Sequence, residues 1–582
     1  MQNDIESSST QNSTLGSTTS STKTLNKMTS PERTWLKGYL QGIHSDIDLS
    51  QYNSITEVLD RALGKYYNQK AFTNMGVTWT YAQLDQKINH FASFLQNELK
   101  LEKGDRIAIQ MPNLLQFPIA LFAAMRVGLV IVNTNPLYTA REMKHQFNDA
   151  GVKAVVILAN YASLLASILP ETKIQSVVVT QIGDLFPFPK NIVVNSVVKY
   201  VKKMVPAYKI DQAYTFTQAL ELGSKKSYKE ITNTQDDIAF LQYTGGTTGV
   251  SKGAMLTHRN VLANMLQIVE WMKPVLKEGE ETIVTALPMY HIFSLTVNCM
   301  AFIAYGGHNI LITNPRDIPD FIKTLKKYPF TVMTGVNTLF NALMHHPEFD
   351  KMDFSNVKLS IAGAMALQKS VAEQWKSKTK SPILEGYGLT EASPVVCCNP
   401  LTGNDQVGTI GMPLPSTEVV LVNDQNEVVP QGQEGELCAR GPQVMKGYWK
   451  RADETEKVMV DGWLKTGDVA VQLDNGFFKI VDRKKDMILV SGFNVYPNEV
   501  EEIIASHPAV LEVAAIGVPD EKSGEVVKVF IVKKDPSLTT EQVIKYAKEN
   551  LTNYKVPKYV EFRTELPKTN VGKILRRALR EA

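Results

Sequence analysis

The stretch LQYTGGTTGVSKGAMLTH, residues 241–258, concentrates glycine, threonine and a single lysine. Six consecutive small or hydroxylated residues run from Thr244 to Gly249, and Lys252 and Gly253 follow them. Glycine loses more backbone entropy on folding than other residues, so such a run indicates a place where another molecule approaches the backbone closely. Backbone N–H groups, hydroxyls and an ammonium suit phosphate oxygens. The stretch therefore predicts a polyphosphate-binding loop.

The loop is not a Walker A motif, because that motif requires Ser or Thr after its lysine and here Gly253 follows Lys252. A glycine-rich hairpin loop without a ligand is the alternative interpretation of this stretch taken alone. Further motifs elsewhere in the chain are needed to decide between the two.

The composition is that of a globular enzyme. The 582 residues exceed a single hydrophobic core and indicate about two to four domains. The 62 Lys and Arg nearly balance the 59 Asp and Glu, and a net charge of +3 argues against nucleic acid as a partner. Four cysteines without metal-like spacing argue against zinc and disulfides and favour a reducing, cytoplasmic setting. No uninterrupted apolar stretch reaches about 18 residues, so no transmembrane helix is expected.

Changes in sequence pattern divide the chain into parts. The first 30 residues are half Ser and Thr, which predicts a disordered tail. From about residue 55, helical segments alternate with short β-branched runs, a pattern typical of βαβ units and parallel sheet. Closely spaced strands and turns around residues 405–440 predict a β-rich subdomain, and an α+β pattern follows the charged run at Lys485. The predicted parts are a tail (1–30), an N-terminal domain (31–484) and a C-terminal domain (485–582).

A second motif is ILEGYGLTEASP, residues 383–394. Gly386 and Gly388 let the backbone approach a flat ligand on which the ring of Tyr387 stacks. Glu391 follows in a polar turn, where a lone carboxylate is usually only solvated. Beside a phosphate loop, the same carboxylate is a candidate Mg²⁺ ligand.

The third and fourth motifs lie near the C-terminus. In DGWLKTGDVAVQLDNGFFKIVDRKK, residues 461–485, Asp468 can accept both hydrogen bonds of a ribose diol and Arg483 can reinforce it. Read alone, Asp468 would be a turn residue. In ELPKTNVGKILRR, Lys573 stands in a short loop before a basic helix and, read alone, would be a surface lysine.

Together these four segments identify a resemblance to the adenylate-forming superfamily, which includes acyl-CoA synthetases, luciferases and peptide-synthetase adenylation domains. The resemblance runs from about residue 33 to the end of the chain, and Ser251 departs from the Pro or Ala of many members. Within the superfamily the chain is most similar to bacterial long-chain fatty acid–CoA ligases, on the strength of residues 461–485 and of LPMYHIFSLTVN, ITNPRDIP, TGVNTLFNAL and LVSGFNVYPNEVE.

The resemblance implies an α/β fold with a large N-terminal domain and a small, mobile α+β C-terminal domain. The N-terminal domain would contain two doubly wound subdomains and a β-barrel, and the hinge would be Lys485. The implied ATP-binding residues are Tyr243, Thr244, Gly245, Gly246, Thr247, Thr248, Gly249, Lys252, Gly363, Ala364, Glu385, Gly386, Tyr387, Gly388, Leu389, Thr390, Asp468 and Arg483. The implied catalytic residues are Lys573, Thr244 and Glu391, of which Thr244 and Glu391 would bind Mg²⁺. The candidate acyl-binding residues are His291, Phe293, Val297, Met300, Gly335, Val336 and Ala362, although the apolar ones could equally be core. The implied CoA-binding residues are Ser491, Gly492 and Phe493.

The implied activity joins a long-chain fatty acid to CoA through an acyl-adenylate, with ATP and CoA as substrates and Mg²⁺ as cofactor. One alternative is an enzyme that loads acyl groups onto the phosphopantetheine of a carrier protein. Another, from a different class, is a non-catalytic fatty-acid-binding relative, against which the intact motif residues argue. The resemblance leaves a homodimer open as the oligomeric state.

A last segment, VVKYVKKMV at residues 197–205, places apolar residues at spacings of three and four with lysines between them. This pattern is typical of an amphipathic basic helix in a membrane interface. The alternative is a surface helix whose stripe packs on the core. On the first interpretation the protein is cytoplasmic and attaches peripherally to the cytoplasmic face of the membrane.

Overall fold

The computed structural model describes Met28 and residues 32–244, 251–569 and 572–581. The strands in chain order are β1 (Lys70–Asn74), β2 (Val77–Thr80), β3 (Arg106–Gln110), β4 (Val130–Asn133), β5 (Ala154–Leu158), β6 (Ser176–Thr180), β7 (Tyr214–Thr215), β8 (Ile238–Thr244), β9 (Lys252–Thr257), β10 (Thr282–Thr285), β11 (His308–Leu311), β12 (Val332–Gly335), β13 (Leu359–Ala362), β14 (Ile383–Gly388), β15 (Val395–Cys398), β16 (Met412–Pro413), β17 (Glu418–Val422), β18 (Glu434–Arg440), β19 (Gly447–Tyr448), β20 (Met459–Val460), β21 (Trp463–Gln472), β22 (Phe478–Arg483), β23 (Ile488–Val490), β24 (Phe493–Val495), β25 (Val510–Asp520), β26 (Gly524–Lys533) and β27 (Tyr559–Arg563).

The α-helices in chain order are α1 (Ile55–Lys65), α2 (Tyr81–Asn97), α3 (Gln116–Arg126), α4 (Ala140–Ala150), α5 (Ala162–Ile168), α6 (Lys190–Ser196), α7 (Phe216–Gly223), α8 (His258–Met272), α9 (Phe302–Ala304), α10 (Ile318–Lys327), α11 (Asn337–Met344), α12 (Lys369–Thr379), α13 (Ala452–Val458), α14 (Pro497–Ala505), α15 (Thr540–Asn550) and α16 (Arg576–Arg580). Two further segments are π-helical, Val197–Val201 and Ser294–Ala301, and Thr390–Ala392 forms one 3₁₀ turn.

Threonine begins several of these helices for a local reason. In each case its hydroxyl accepts from the backbone N–H three residues on, and the side chain there reaches back to the threonine N–H, so two unpaired donors are satisfied. The threonines in this position are Thr80, Thr139, Thr215, Thr257 and Thr539.

Two large sheets form the N-terminal domain. The nine-stranded sheet has the order β16-β15-β14-β13-β12-β10-β11-β1-β2, and its six central strands, β14 to β1, are parallel. The eight-stranded sheet has the order β19-β9-β8-β4-β3-β5-β6-β7, with a parallel series from β8 to β7. Strands such as β5 are buried along their whole length, as parallel strands covered on both faces by helices must be.

Two smaller sheets complete the chain. Strands β17, β18, β20, β21 and β22 form an antiparallel sheet, and β23 to β27 form the sheet of an α+β C-terminal unit with α14, α15 and α16. The predicted fold class is therefore confirmed. The third sheet ends at Arg483 and the fourth begins at Ile488, so Lys485 lies in the turn between them. Its mobility, and the domain limits at residues 31–484 and 485–582, stay predictions.

The predicted tail lies outside the described residues except for Met28. That residue is buried beside Trp463, whose indole N–H donates to the Met28 carbonyl at 3.3 Å. Across the described ranges, no helix combines the length and apolarity that crossing a bilayer requires.

Candidate active site

The predicted site residues gather where the parallel strands end. Thr244, Gly335, Ala362 and Gly388 are the last residues of β8, β12, β13 and β14. In open α/β sheets, ligands bind in the crevice outside the carboxyl ends of the strands. The topology therefore brings motifs that are far apart in the sequence to one edge of each sheet.

The predicted phosphate loop connects two antiparallel strands. Thr244 of β8 pairs with Lys252 of β9, and Tyr243 pairs with Gly253. A Cβ added at Gly253 would lie 3.0 Å from the Tyr243 ring, so a larger residue there would require that ring to shift by a few tenths of an ångström. Tyr243 in turn donates from its hydroxyl to Asp149 at 2.6 Å, which fixes the first strand of the hairpin. The predicted residues Gly245, Gly246, Thr247, Thr248 and Gly249 lie outside the described residues.

A chain of contacts joins this hairpin to the second motif. The Lys252 ammonium lies 2.5 Å from Glu454 and 4.8 Å from the centre of the Tyr448 ring. The Tyr448 hydroxyl donates to Glu391 at 2.6 Å, and the turn at Thr390 packs against β9. Thr244, Lys252 and Glu391 are thus held in one assembly, as their predicted shared role requires.

Neither Tyr448 nor Glu454 stood out in the sequence. Each lies about 200 residues from Lys252 in a segment with no distinctive motif, and long-range packing alone brings them to it. The ion pair and the hydrogen bond from Lys457 keep the pKa of Glu454 at about 2.

The glycines in and near the strand of the second motif differ in whether close packing requires them. A side chain at Gly388 would lie 2.0 Å from the Pro394 carbonyl oxygen, so the chain admits only glycine there. At Gly386 the nearest atoms are 3.9 Å away, which is ordinary contact. Gly363 lies under Phe293, whose ring would be 2.8 Å from an added side chain, and Ala364 has a φ of 69°. Close packing therefore explains why positions 363 and 388 are glycine. Gly386 is different, because the protein leaves room for a side chain there.

Glu385 in the same strand is buried and points toward backbone groups. Its carboxylate accepts from the N–H of Leu367 at 3.2 Å and of Gly408 at 2.8 Å. Burial nevertheless raises the pKa of Glu385 to about 7. Its carboxylate holds two loops together, so the predicted contact of Glu385 with ATP would have to be made by its backbone. Leu389 and Thr390 lead from this strand into the turn that carries Glu391.

Asp468 and Arg483, the predicted ribose pair, are in contact, and their role in binding ribose stays a prediction. Asp468 and Arg483 are direct partners across β21 and β22, and the Arg483 Nε lies 3.1 Å from Asp468 Oδ1. The other oxygen of Asp468 accepts from the Tyr387 hydroxyl at 2.6 Å. A carboxylate offers about four lone-pair positions, so two stay available for a diol. The second and third motifs thus meet at Asp468.

Lys573 of the C-terminal unit interacts electrostatically with this pair. Burial and the neighbouring Arg483 cation lower the pKa of Lys573 to about 8, opposed by Asp468. Burial, together with the charge of Lys573, lowers the pKa of His291 to about 4, so His291 is neutral at pH 7. A side chain at Gly572 would lie 2.9 Å from the hydroxyl of Thr338. Gly572 therefore packs against the start of α11, and Lys573 beside it is only partly exposed.

The candidate acyl residues divide between two cores. Val297 and Met300 belong to the π-helical segment Ser294–Ala301, which is buried throughout, while Val336 and Ala362 lie in the second core. Phe293 packs against both. Gly335 is required by the Phe340 ring, which would be 2.8 Å from an added side chain. Phe293 thus connects the two groups of apolar candidates, and the acyl-binding role of all seven residues stays a prediction.

The candidate CoA residues form a tight turn on the surface of the C-terminal unit. Ser491 and Gly492 have φ values of 51° and 86°, as a two-residue hairpin between β23 and β24 requires. Phe493 is 56% exposed and stacks on Tyr554 at 4.7 Å. In this arrangement the loop of Lys573 is docked and the turn of Ser491 is exposed.

A cluster of ion pairs links the turn of Lys485 to the helix after Lys573. Arg576 contacts Glu501 at 2.8 Å and both Asp482 and Asp486 at 3.6 Å. Asp482 is fully buried, and burial raises its pKa to about 6 against the effect of Arg576. Arg576 thereby holds the Lys573 segment against the strand and turn that connect the two parts of the chain. The sequence presented it only as one residue of a basic helix.

Family models and relatives match most of the chain. The model of the AMP-binding enzyme matches residues 59–449, and that of the AMP-binding enzyme C-terminal domain matches residues 499–573. A long-chain-fatty-acid–CoA ligase of Escherichia coli O6:H1 is 54% identical, over 94% of this chain and 98% of its own. The long-chain-fatty-acid–CoA ligase of Bacillus subtilis is 38% identical over the same shares.

Solved structures share the fold along nearly the whole chain. ATP-bound MatB from Rhodopseudomonas palustris has a TM-score of 0.75 at 27% identity and covers 91% of this chain and 99% of its own. The anthranilate CoA ligase AuaEII in complex with anthranoyl-AMP has a TM-score of 0.81 at 24% identity and covers 92% and 98%. The chain belongs to the AMP-binding, adenylate-forming enzyme family, in the group that contains these long-chain-fatty-acid–CoA ligases.

Proposed function

We propose that this protein is a long-chain fatty acid–CoA ligase, which converts a fatty acid, ATP and CoA into acyl-CoA, AMP and pyrophosphate. The observation that carries the proposal is the Asp468–Arg483 pair, formed at 3.1 Å, together with Lys573, whose charge acts on this pair and on His291 at the start of the candidate acyl region. The 54% identity to a long-chain-fatty-acid–CoA ligase over nearly the whole chain supports the same substrate class.

In the first step the fatty carboxylate attacks the α-phosphorus of ATP, and pyrophosphate leaves. Negative charge grows on the α-phosphoryl oxygens, where the Lys573 ammonium stabilises it. Asp468 and Arg483 orient the ribose, and Thr244 with Lys252 and the loop between them holds the phosphates. The product is an acyl-adenylate, whose mixed anhydride is activated toward a thiol.

Mg²⁺ fits the donor set present here. Within the described ranges there is no cluster of three or more His, Cys, Asp or Glu able to hold a metal. Mg²⁺ at nucleotide sites is usually held by one or two carboxylates together with substrate phosphates, and the Glu391 carboxylate with the Thr244 hydroxyl meets that need. When bound, the ion would neutralise charge on the phosphates.

In the second step the CoA thiol attacks the acyl carbonyl and AMP leaves. We assign the turn of Ser491, Gly492 and Phe493 to this step, because it is exposed while Lys573 is docked. A rotation about Lys485 would exchange the two segments, so that one hinge serves two half-reactions. The apolar acyl residues favour long chains, since each buried methylene contributes about 0.8 kcal/mol.

The proposal extends to the setting of the enzyme. We place it in the cytoplasm and attached peripherally to a membrane, because long-chain acids partition into bilayers. A homodimer is the proposed oligomeric state to be tested by light scattering. Neither extension is needed for the chemistry.

The deciding experiment measures thioester formation by the purified protein with ATP, Mg²⁺ and CoA, across acids from acetate to oleate. We expect acyl-CoA to form with palmitate and oleate, and little product with acetate. Pyrophosphate exchange with palmitate but little acyl-CoA would favour the carrier-protein alternative instead. Binding of palmitate with neither activity would identify a non-catalytic relative.

A further inference from the structure

One segment leaves an unusual amount of apolar surface in water. Of the eighteen large apolar side chains that are exposed among the described residues, eight lie between residues 188 and 208. Phe188 is 80% exposed, Val201 74% and Tyr200 67%. The other five are Ile192, Val193, Val197, Met204 and Tyr208. We call residues 188–209 the basic apolar surface.

The surface is built on one helical segment. Helix α6 continues without a break into the π-helical turns of Val197–Val201. The sequence left open whether the stripe of residues 197–205 packs on the core. Val205 does pack against a core, but Val197, Val201 and Met204 face solvent. Contiguous apolar patches of this kind mark interaction sites on soluble proteins.

The charge of the surface restricts its partner. Residues 185–210 contain five lysines and neither Asp nor Glu. Lys199, Lys202, Lys203 and Lys209 are exposed, and of these Lys209 has a carboxylate nearby, that of Asp211 at 3.8 Å. A partner that buries this surface must therefore carry negative charge as well as apolar groups.

The position of the surface connects it to the candidate acyl site. It follows β6 at the carboxyl edge of its sheet, and the Lys190 ammonium at its start donates to the carbonyl of Met75, next to the end of β1. Met75 is itself 45% exposed. The surface therefore reaches the carboxyl edges of both large sheets.

Hydrogen bonds run from that point to the LPMYH turn. Asn74 donates to the Thr313 hydroxyl at 2.9 Å, and that hydroxyl donates to the Asn113 carbonyl at 3.1 Å. The side chain of Asn113 accepts from the N–H of Met289 at 2.8 Å, two residues before His291. The surface and the turn of His291 thus belong to one connected framework.

We propose that the basic apolar surface docks on an anionic phospholipid bilayer and holds the candidate acyl site beside the membrane that contains its substrate. Helical segments with exposed apolar side chains and flanking lysines lie in the headgroup region, where the apolar groups enter and the ammonium groups meet lipid phosphates. The inference rests on the proposed function for its meaning, but binding to lipid is measured separately from activity.

The test is sedimentation with vesicles of phosphatidylglycerol and phosphatidylcholine, with phosphatidylcholine alone for comparison. We expect the wild type to pellet with the anionic vesicles at low salt and to be released at high salt. Each lysine strengthens binding to an anionic surface by a factor of about five, so Lys199→Glu, Lys202→Glu, Lys203→Glu should lower the partition coefficient at least about 100-fold. Tyr200→Ser, Val201→Ser should lower it without changing the salt dependence.

Matched control substitutions lie on other parts of the protein, away from the basic apolar surface. Lys534→Glu, Lys545→Glu, Lys548→Glu makes the same charge change on exposed lysines of the C-terminal unit, and Val407→Ser, Val428→Ser removes exposed apolar groups of the N-terminal domain. Both controls should bind vesicles as the wild type does. Binding that is lost equally in controls and variants would overturn the assignment to this surface.

Two further outcomes separate this inference from the proposed function. Activity on octanoate in free solution should be unchanged in the lysine variant, whereas activity on palmitate presented in anionic vesicles should fall. If no acid is activated by any form, the proposed function fails while vesicle binding can still hold. Failure of the wild type to bind anionic vesicles, or a dimer in lipid-free solution that the Tyr200, Val201 variant abolishes, would overturn membrane docking.

Discussion

The ammonium of Lys252, which follows the predicted phosphate loop, lies 2.5 Å from the carboxylate of Glu454. Each side chain is about a quarter exposed, so the pair is accessible to an incoming polyphosphate. A phosphate that binds Lys252 must compete with this carboxylate. The pair therefore opposes ATP binding until the carboxylate of Glu454 is displaced from the Lys252 ammonium.

Glu454→Gln should lower the KM for ATP several-fold, because the competing charge is removed and the Lys252 ammonium is released. Pyrophosphate exchange at varied ATP measures this directly. Glu456→Gln in the same helix makes the same change at an exposed position and serves as the control. A raised KM in Glu454→Gln alone would show that the pair positions Lys252 for ATP and does not compete with it.

Lys573→Ala should reduce adenylate formation by about 10²–10³, because one charge contact to the transition state is lost. Thioester formation from synthetic acyl-adenylate and CoA should be largely retained. Pyrophosphate exchange and a thiol assay measure the two half-reactions. An equal loss in both would assign Lys573 a role in thioester formation too.

The pH dependence gives a second measure of Lys573. Its pKa of about 8 means that the free enzyme loses the ammonium as pH rises through that value. For adenylation, kcat/KM should therefore fall above about pH 8, since this ratio reports ionisation in the free enzyme. Lys573→Arg keeps its charge and should remove the decline, although its absolute rate is lower. If kcat/KM of Lys573→Arg declines at the same pH, the decline belongs to the ionisation of another group.

Arg576→Ala should destabilise the C-terminal unit by about 3–5 kcal/mol, because buried Asp482 loses its cation. Urea unfolding followed by circular dichroism measures the change. Arg577→Ala is the matched control, since that neighbouring side chain is exposed and pairs only with exposed Glu581 among the contacts described. Equal effects at the two positions would show that the contacts to Asp482 and Glu501 contribute no stability.

Glu385 predicts a pH dependence of stability with a definite sign. Its pKa is about 7 in the folded protein and 4.5 when unperturbed. Between these values the folded protein keeps a proton that the unfolded chain has released, so raising the pH destabilises the fold. We expect this residue to contribute a loss of about 3 kcal/mol between pH 4.5 and 7. Denaturant titrations at several pH values measure the free energy of unfolding, and in Glu385→Gln it should fall less steeply with rising pH than in the wild type. The same fall in both proteins would refute the role of Glu385.

The sequence predicted local pairings better than distant ones. Asp468 and Arg483 flank one turn of a hairpin, so their meeting follows from the motif and strand pairing. The contact of Tyr448 with Glu391 joins two segments that no periodicity relates. The fold class followed from alternating patterns, because those record which faces are buried.

Other residues had no signal that sequence could supply. Val297 and Met300 are apolar whether they line a tunnel or fill a core, since both places exclude water in the same way. Arg576 resembled any residue of a solvent-facing basic helix, and only the buried carboxylates around it reveal its role. The exposure of Val201 could not be predicted either, because apolar residues at spacings of three and four are typical both of a helix packed on a core and of a helix that leaves them in solvent.

Gly572 packs against the candidate acyl residue Val336 and its neighbour Thr338, since a Cβ added at Gly572 would lie 2.9 Å from the Thr338 hydroxyl and 3.0 Å from Val336. Engineering of chain-length preference at Val336 therefore also alters the surface against which Gly572, next to Lys573, packs. A bulkier residue at position 338 would displace Gly572 and slow activation of every acid, including those whose tail never reaches the substitution. Chain-length selectivity and turnover therefore depend on the same contact. A substitution that changes selectivity here requires a second substitution near Gly572 that restores the position of Lys573.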